Sequence, residues 1–254
     1  MTRLSSLKGS LATAFGAAAD AYHSAADVQR EVASRLARRI AGLRLDRPRV
    51  LEIGCGTGFL HQALAPDLPG AAWLLTDLSE AMVARARSGI GGGARFAVMD
   101  GERPSFREGQ FDLVCASLVF QWFEDLPASL HALAALLAPG GALAFSTLTA
   151  DSFPEWREAH RAIGAIPAMR GYPTLAEIAR MAPPGARVDL DADAIPRSYK
   201  DAHAFLAHWK EIGTHVPDAG RAPLTPGAMR RLLRRFDGGI TVTYRLAYGT
   251  ILKA

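Results

Sequence analysis

The stretch LEIGCGTG, residues 51–58, sets Gly54, Gly56 and Gly58 within five positions at the foot of an apolar run. Glycines at that density let a ligand approach the backbone closely, and the helical stretch that follows, TGFLHQALA, offers its first amides beside them. A dinucleotide loop needs the spacing G-x-G-x-x-G, and Phe59 stands where its third glycine belongs. No Gly-Lys-Ser/Thr follows, so the loop is not a phosphate cradle either. Glu52 adds a negative charge just ahead of it, which repels phosphate and suits a ligand bearing an ammonium or sulfonium group.

Three further strand ends carry polar groups. The apolar run AAWLLTD closes on Asp77, 23 residues after Gly54, where a carboxylate can accept from both hydroxyls of a ribose. ARFAVMD closes on Asp100, followed by Gly101, and Asp100 can accept from an adenine amino group. FDLVCASL leads into VFQWF, bringing Ser117, Gln121 and Trp122 to the same edge. Trp122 either packs beneath the ligand or touches a second substrate. One such residue means little, but four in succession read as a nucleoside site.

These ends require a frame of alternating strands and helices. PRVLEIG, AAWLLTD, ARFAVMD, FDLVCASL and ALAFSTL are nearly continuous apolar runs, as strands buried on both faces of a parallel sheet must be. Between them, LSEAMVARAR reads as a helix capped by Ser79. A second helix follows Asp125, with Leu126, Leu130, Leu133 and Leu137 as its stripe, and ends at APGG. Val28, Val32, Leu36, Ile40 and Leu43 predict a helix over 24–44. Past residue 150 the pattern loosens into short helices at SFPEWREAHRAI, TLAEIARMA, DAHAFLAHWKEI and LTPGAMRRLLRRF, and ITVTYRLAYGTIL closes the chain as a strand. At 254 residues, 49% of them hydrophobic and 21% charged, this is the make-up of one globular α/β domain.

No apolar run reaches membrane-spanning length, and no secretory signal opens the chain, so a cytoplasmic protein with reduced thiols is expected. Cys55 and Cys115 have no metal or redox spacing; Cys55 reads as a small residue in a tight loop and Cys115 as core. His203, His208 and His215 lack a two-ligand spacing, so no metal is assigned. No serine-centred nucleophile elbow occurs.

Residues 45–150 resemble the class I S-adenosylmethionine-dependent methyltransferases, through LEIGCGTG, TDLSEAM, MDGE and LAPGGALAFST. The resemblance implies a Rossmann-like, mostly parallel seven-stranded sheet with helices on both faces. It implies S-adenosylmethionine as cofactor and S-adenosylhomocysteine as product. Glu52, Gly54, Gly56 and Gly58 would surround the methionine part and ribose, with Cys55 in the same loop. Asp77 would hold the ribose diol, Leu78 and Met82 would lie by the adenine, and Asp100 and Gly101 would meet its amino group. Gln29, Ser117, Gln121 and Trp122 would complete the cofactor site.

Nearly the whole chain is similar to the malonyl-acyl-carrier-protein O-methyltransferases of biotin synthesis. The match rests on the N-terminal pattern Phe15, Gly16, Ala19, Tyr22, Ala26 and Gln29, on LVFQWFEDLPASLHALAALLAPGGALAFSTL with SFPEW, and on the C-terminal HWKEIGTH and TYRLAYGTIL. It departs at TLTADS, where Asp151 stands in place of an expected glycine. On this resemblance residues 1–46 form a helical lid and 47–150 the cofactor core. Residues 151–238 form cap helices with a further strand, and 239–254 the final strand. The implied reaction, the first step toward the pimeloyl chain, methylates the free carboxylate of a malonyl thioester, already ionised at neutral pH, so no general base is required. Tyr22 on the lid and Lys210 are the candidates for positioning that carboxylate.

The implied partner is an acidic acyl carrier protein bearing the thioester, or malonyl-coenzyme A. Residues 221–254 hold a local net charge of +6, within an overall +4. Arg230, Arg231, Arg234 and Arg235 on one helix, or Arg35, Arg38 and Arg39 on another, form rows that attract such a partner. No nucleic-acid motif interleaves these arginines with aromatics. A monomer is expected. A small-molecule carboxylate methyltransferase, or a respiratory-complex assembly factor sharing the WF-DLP turn, would use the same core.

Overall fold

Residues 6–167, 169–214 and 224–253 are described by this computed structural model. Two helices open it, α1 (Ser6–Ala25) and α2 (Asp27–Ala41), where the apolar spacing predicts one. The break falls at Ala26, fully buried, whose backbone (φ −82°, ψ 60°) leaves the helical region. Val28, Val32, Leu36 and Ile40 make α2 a core helix, whereas alanine-rich α1 packs on α4 and α8.

The core follows as β1 (Arg49–Ile53), α3 (Phe59–Leu64), β2 (Ala72–Asp77), α4 (Glu80–Ile90), β3 (Ala94–Val98), β4 (Phe111–Ser117), α5 (Leu126–Ala135) and β5 (Leu137–Leu148). Ser79 caps α4 by accepting from the Met82 amide at 3.4 Å, and Asp125 caps α5 by accepting from Ala128 at 3.0 Å. Leu137, assigned by spacing to the helical stripe, instead begins β5. Its register against β4 shifts between Phe111 and Leu113, which absorbs the APGG turn into the strand. The chain continues through α6 (Pro154–Ala162), α7 (Leu175–Arg180), β6 (Arg187–Tyr199), α8 (Ala202–Glu211), α9 (Pro226–Arg234) and β7 (Ile240–Leu252).

The seven strands run β3-β2-β1-β4-β5-β7-β6, with β7 antiparallel to both neighbours. Side chains alternate across the sheet. Val50, Leu113 and Cys115 meet α2 and α3 on one face, and Leu51, Val114 and Phe145 meet α5 on the other. The reversal of strand order between β1 and β4 opens a crevice at the carboxyl edge, where open α/β sheets bind ligands. Among the described residues no helix is long and apolar enough to cross a membrane.

The α2 arginines are not a free cationic row. Arg35 donates to Asp193 of β6 at 2.6 Å and also pairs with Glu31, and Arg39 lies 3.5 Å from Asp191. Arg197 closes the network onto Asp27 and Glu31. Acidic residues of β6 thus neutralise most of this face, and Arg38 is left exposed. On α9 the outcome differs: Arg230, Arg231, Arg234 and Arg235 are all exposed, with no ion pair to any described residue. His215 and Arg221 lie outside the described residues.

Candidate active site

The glycine loop turns sharply off β1, with Gly54 at φ +62° and Gly56 at φ +53°. A side chain at Gly54 would put Cβ 2.4 Å from Cγ2 of Val119, so left-handed backbone and close approach both demand glycine there. The loop forms one wall of a cleft of about 880 Å³ across the ends of β1 to β4. Gly54, Gly56, Asp77 and Leu78 line it at one end. Met82, Asp100 and Gly101 line it at the other, and Ser117, Gln121 and Trp122 line it beside β4.

Asp77 is fixed by the loop that it helps to build. Its Oδ2 accepts from the Gly56 amide at 2.9 Å and its Oδ1 from the Ser79 amide at 2.8 Å. Burial pushes its carboxyl up, and the amides of Ser79, Gly56 and Leu78 oppose that. Gln121 is held by its own neighbours, donating to the Leu118 carbonyl at 2.6 Å and accepting from Thr147 at 3.3 Å. Leu118 carries φ +54°, an uncommon angle for a non-glycine, at the point where β4 ends in the cleft.

Helix α1 roofs the cleft with Leu11, Ala12, Phe15 and Tyr22. Tyr22 stacks on Phe59 (6.1 Å, 22°), and Phe15 meets Trp122 edge-on at 5.5 Å. Burial and then the Asp77 charge hold the Tyr22 hydroxyl protonated by pushing its pKa up. Lys8, from the same helix, donates to Asp100 Oδ1 at 2.6 Å and also pairs with Glu102. Glu102 ends the stretch MDGE, and nothing local in the sequence marks Lys8.

Four expected site residues stand elsewhere. Gly58 and Cys55 support the loop from behind and do not line the cleft. Lys210 is exposed on α8 and lines neither the cleft nor the second cavity. Glu52 points to the α2 and α3 face, buried, with Oε2 lacking any hydrogen-bond partner. Burial, and secondarily the charge on Asp77, push its pKa up to about 8. Glu52 is thus mostly protonated at neutral pH and stands behind the glycine loop, not on the cleft wall expected for it.

That burial predicts a pH signature. The charged or titratable groups facing Glu52 are Asp77, Cys55 and Cys115. Between its ordinary value of 4.5 and about 8, Glu52 ionises when the chain unfolds but stays protonated when it is folded. The unfolded state then binds fewer protons, so stability falls as pH rises through that window. Urea midpoints at pH 5 and pH 8 are expected to converge in Glu52→Gln; an unchanged gap would refute this.

A second cavity of about 1280 Å³ adjoins the cleft. Gln29, Leu118, Gln121, Trp122 and Thr214 line both. The Gln29 Oε1 is buried there without a partner. The second chamber is walled by Phe153 and Trp156 near or on α6, Trp209 of α8, Met229 of α9 and Tyr244 of β7. These rings interlock, with Phe153 edge-on to Trp209 at 5.1 Å and to Tyr244 at 4.7 Å. His160 is on the wall too, its Nδ1 2.9 Å from the Trp156 carbonyl, and burial pushes its pKa down. A cleft bearing the Asp77 and Asp100 carboxylates, beside an apolar chamber, suits transfer of a group from a nucleotide-like donor to a second, largely apolar substrate.

The strand order and the glycine-loop site define a class I methyltransferase domain, and residues 24–215 match the family described as a methyltransferase domain. A putative methyltransferase from Bacillus halodurans shares the fold, with a TM-score of 0.61 at 15% identity over 87% of this chain and 98% of that one. The Malonyl-[acyl-carrier protein] O-methyltransferase of Magnetococcus marinus is 43% identical over 90% of this chain and 87% of its own length. The Biotin biosynthesis bifunctional protein BioCD of Bordetella avium is 45% identical over 94% of this chain. This chain spans about half of that longer protein, 51% of its length. The chain belongs to the malonyl-[acyl-carrier protein] O-methyltransferase family.

Proposed function

We propose that this chain methylates the free carboxylate of a malonyl thioester carried by an acyl carrier protein, using S-adenosylmethionine, and that the ester enters biotin synthesis. The observation that carries the reading is the nucleoside cleft adjoining the apolar chamber across shared residues, on a chain of this family. The cofactor, when bound, supplies a methyl group activated by its sulfonium. The residues present fit it: Asp77 turns an amide-anchored carboxylate to the cleft for the ribose diol, and Gln29 offers an unpaired buried oxygen. Leu78 and Met82 supply the apolar surface for the adenine, and Asp100 accepts from its amino group once Lys8 yields or shares that carboxylate.

The lid residues exclude water. Phe15, Tyr22 and Trp122 form a continuous aromatic cover, and a carboxylate stripped of water is the stronger nucleophile. No proton needs removing from it, which agrees with a chamber whose histidine is tied to a backbone carbonyl. Methylation removes a charge that an apolar elongation site would otherwise reject.

The carrier docks on α9 in this reading. Leu224 and Met229 line the chamber while the four arginines of the same segment face outward, so an acidic protein held there has its acyl arm beside the entrance. The test is transfer of labelled methyl from S-adenosylmethionine to malonyl-acyl carrier protein, with the acetyl form and free malonate alongside. Label on the malonyl carrier alone is expected; none there would refute the reading. Changing Arg230, Arg231, Arg234 and Arg235 together to Gln is expected to raise KM for the carrier about tenfold, leave kcat alone and flatten the salt dependence. An unchanged KM would remove α9 as the dock.

A further inference from the structure

The chamber that takes the acyl group is apolar, yet its ligand in the proposed reaction carries a full negative charge. Burying a carboxylate without a partner is prohibitive, so the wall must supply a cation or strong donors. Among the described residues one permanently charged side chain lines the chamber, Arg170. It sits in the irregular segment between α6 and α7, beside Met169, whose side chain is buried.

The guanidinium is already aimed. Its Nε donates to the Gln121 carbonyl at 3.1 Å and its Nη2 to the Phe123 carbonyl at 3.3 Å. Both carbonyls belong to the short turn after β4, whose side chains line the cofactor cleft from the other side. No carboxylate of a described residue pairs with Arg170. Two donors are spent on orienting the fork, and the Nη1 side is left for a ligand. Tyr172 lines the same chamber close enough to feel the Arg170 charge, and its hydroxyl, pushed up to about 12 by burial, stays a donor.

We infer that Arg170, with the Tyr172 hydroxyl beside it, binds the substrate carboxylate and so makes the enzyme select acyl groups that end in a free acid. This rests on the proposed methyl transfer to a malonyl thioester and names the cation that the reading requires. An arginine suits the task because it holds an anion by a planar fork without giving up a proton to it, so the oxygen stays nucleophilic. Once the ester forms, the attraction disappears and the product leaves a site built for an anion. The selection then lies in the segment between α6 and α7 rather than in the cofactor core.

Arg170→Gln retains an amide donor for the carbonyl of Gln121 but loses the charge. It is expected to lower kcat/KM for malonyl-acyl carrier protein about 50-fold, the scale of a lost charge-assisted bond, while S-adenosylhomocysteine affinity stays within about twofold. The preference in binding for the malonyl carrier over its methyl ester is expected to collapse, and Arg170→Lys should recover part of it. Parallel loss of S-adenosylhomocysteine affinity with the preference intact would overturn the inference, because Arg170 would then be a brace for the turn at 121–123. Full activity in Arg170→Gln would overturn it as well. A wild-type enzyme that leaves the malonyl carrier unlabelled defeats the substrate reading instead, and the binding preference for acid over ester then decides Arg170 alone.

Discussion

Replacing Asp77 with alanine is expected to weaken S-adenosylmethionine binding about a thousandfold, two charge-assisted hydrogen bonds at about 1.5–3 kcal/mol each. The carboxylate holds the Gly56 and Ser79 amides on one side and faces the cleft on the other. Alanine removes the acceptors for the ribose diol. It also leaves two amides unsatisfied at the loop whose left-handed glycines must keep their angles for the ligand to fit. Asp77→Asn keeps the shape and one carbonyl oxygen, so a smaller loss, about thirtyfold, is expected. Stability should fall in that variant as well, because its one amide oxygen satisfies only one of the Gly56 and Ser79 amides and turns an NH2 toward the other. Removing this charge also relieves Glu52, whose titration should shift down toward its ordinary range. Calorimetric titration with S-adenosylhomocysteine, beside thermal melts, separates the effects. Full affinity in the folded fraction of Asp77→Asn would mean that the carboxylate is a structural tie and not a ribose ligand.

The part of this site that the sequence displays is the part tied to strand ends. Parallel strands buried on both faces leave uninterrupted apolar runs, so the residue following each run falls at the carboxyl edge whatever else the chain does. Asp77, Asp100 and Ser117 could be placed that way. Strand β6 is expected only through the resemblance, as a further strand somewhere in 151–238, and could not be placed: as a half-exposed edge strand it reads RVDLDADAIPRSY, with Pro196 and three alternating aspartates, and nothing local distinguishes it from a polar loop. With β6 unplaced, the partners of the α2 arginines stay hidden too, since Asp193 lies 158 residues from Arg35. Lys210 fails for a helical reason. Phe205 points inward from α8, and five residues on, at about 100° each, the side chain faces away from it. Arg170 has no periodic context at all, because its position depends on two carbonyls 49 and 47 residues earlier in the chain. Alanine-rich α1 shows no apolar stripe, so a lid could be inferred only from its resemblance to a family, and Lys8 not even so.

Gly249→Ala is expected to destabilise the chain by about 3 kcal/mol, the upper end for overpacking, and to lower its melting temperature by about 6–12 °C. The sign is informative, because alanine in an ordinary strand position is favoured over glycine. Here β7 passes β5 with Gly249 opposite Phe145. A Cβ on Gly249 would stand 2.2 Å from Cζ of that ring and 2.5 Å from Cε1. Phe145 cannot swing clear: it is 1% exposed and packs against Phe120, ring centroids 5.0 Å apart. Phe120 in turn meets Phe123 at 5.1 Å, so the displacement is passed to the turn whose carbonyls hold Arg170 and whose side chains line both cavities. Cofactor affinity should therefore fall in Gly249→Ala even at temperatures where it is fully folded. Phe145→Leu alone leaves a partial cavity and is also destabilising. Combined with Gly249→Ala it supplies the missing room, and the pair should cost less than either change summed with the other. Strict additivity, or a more stable Gly249→Ala, would show that the ring yields freely and that glycine at this position serves no packing role.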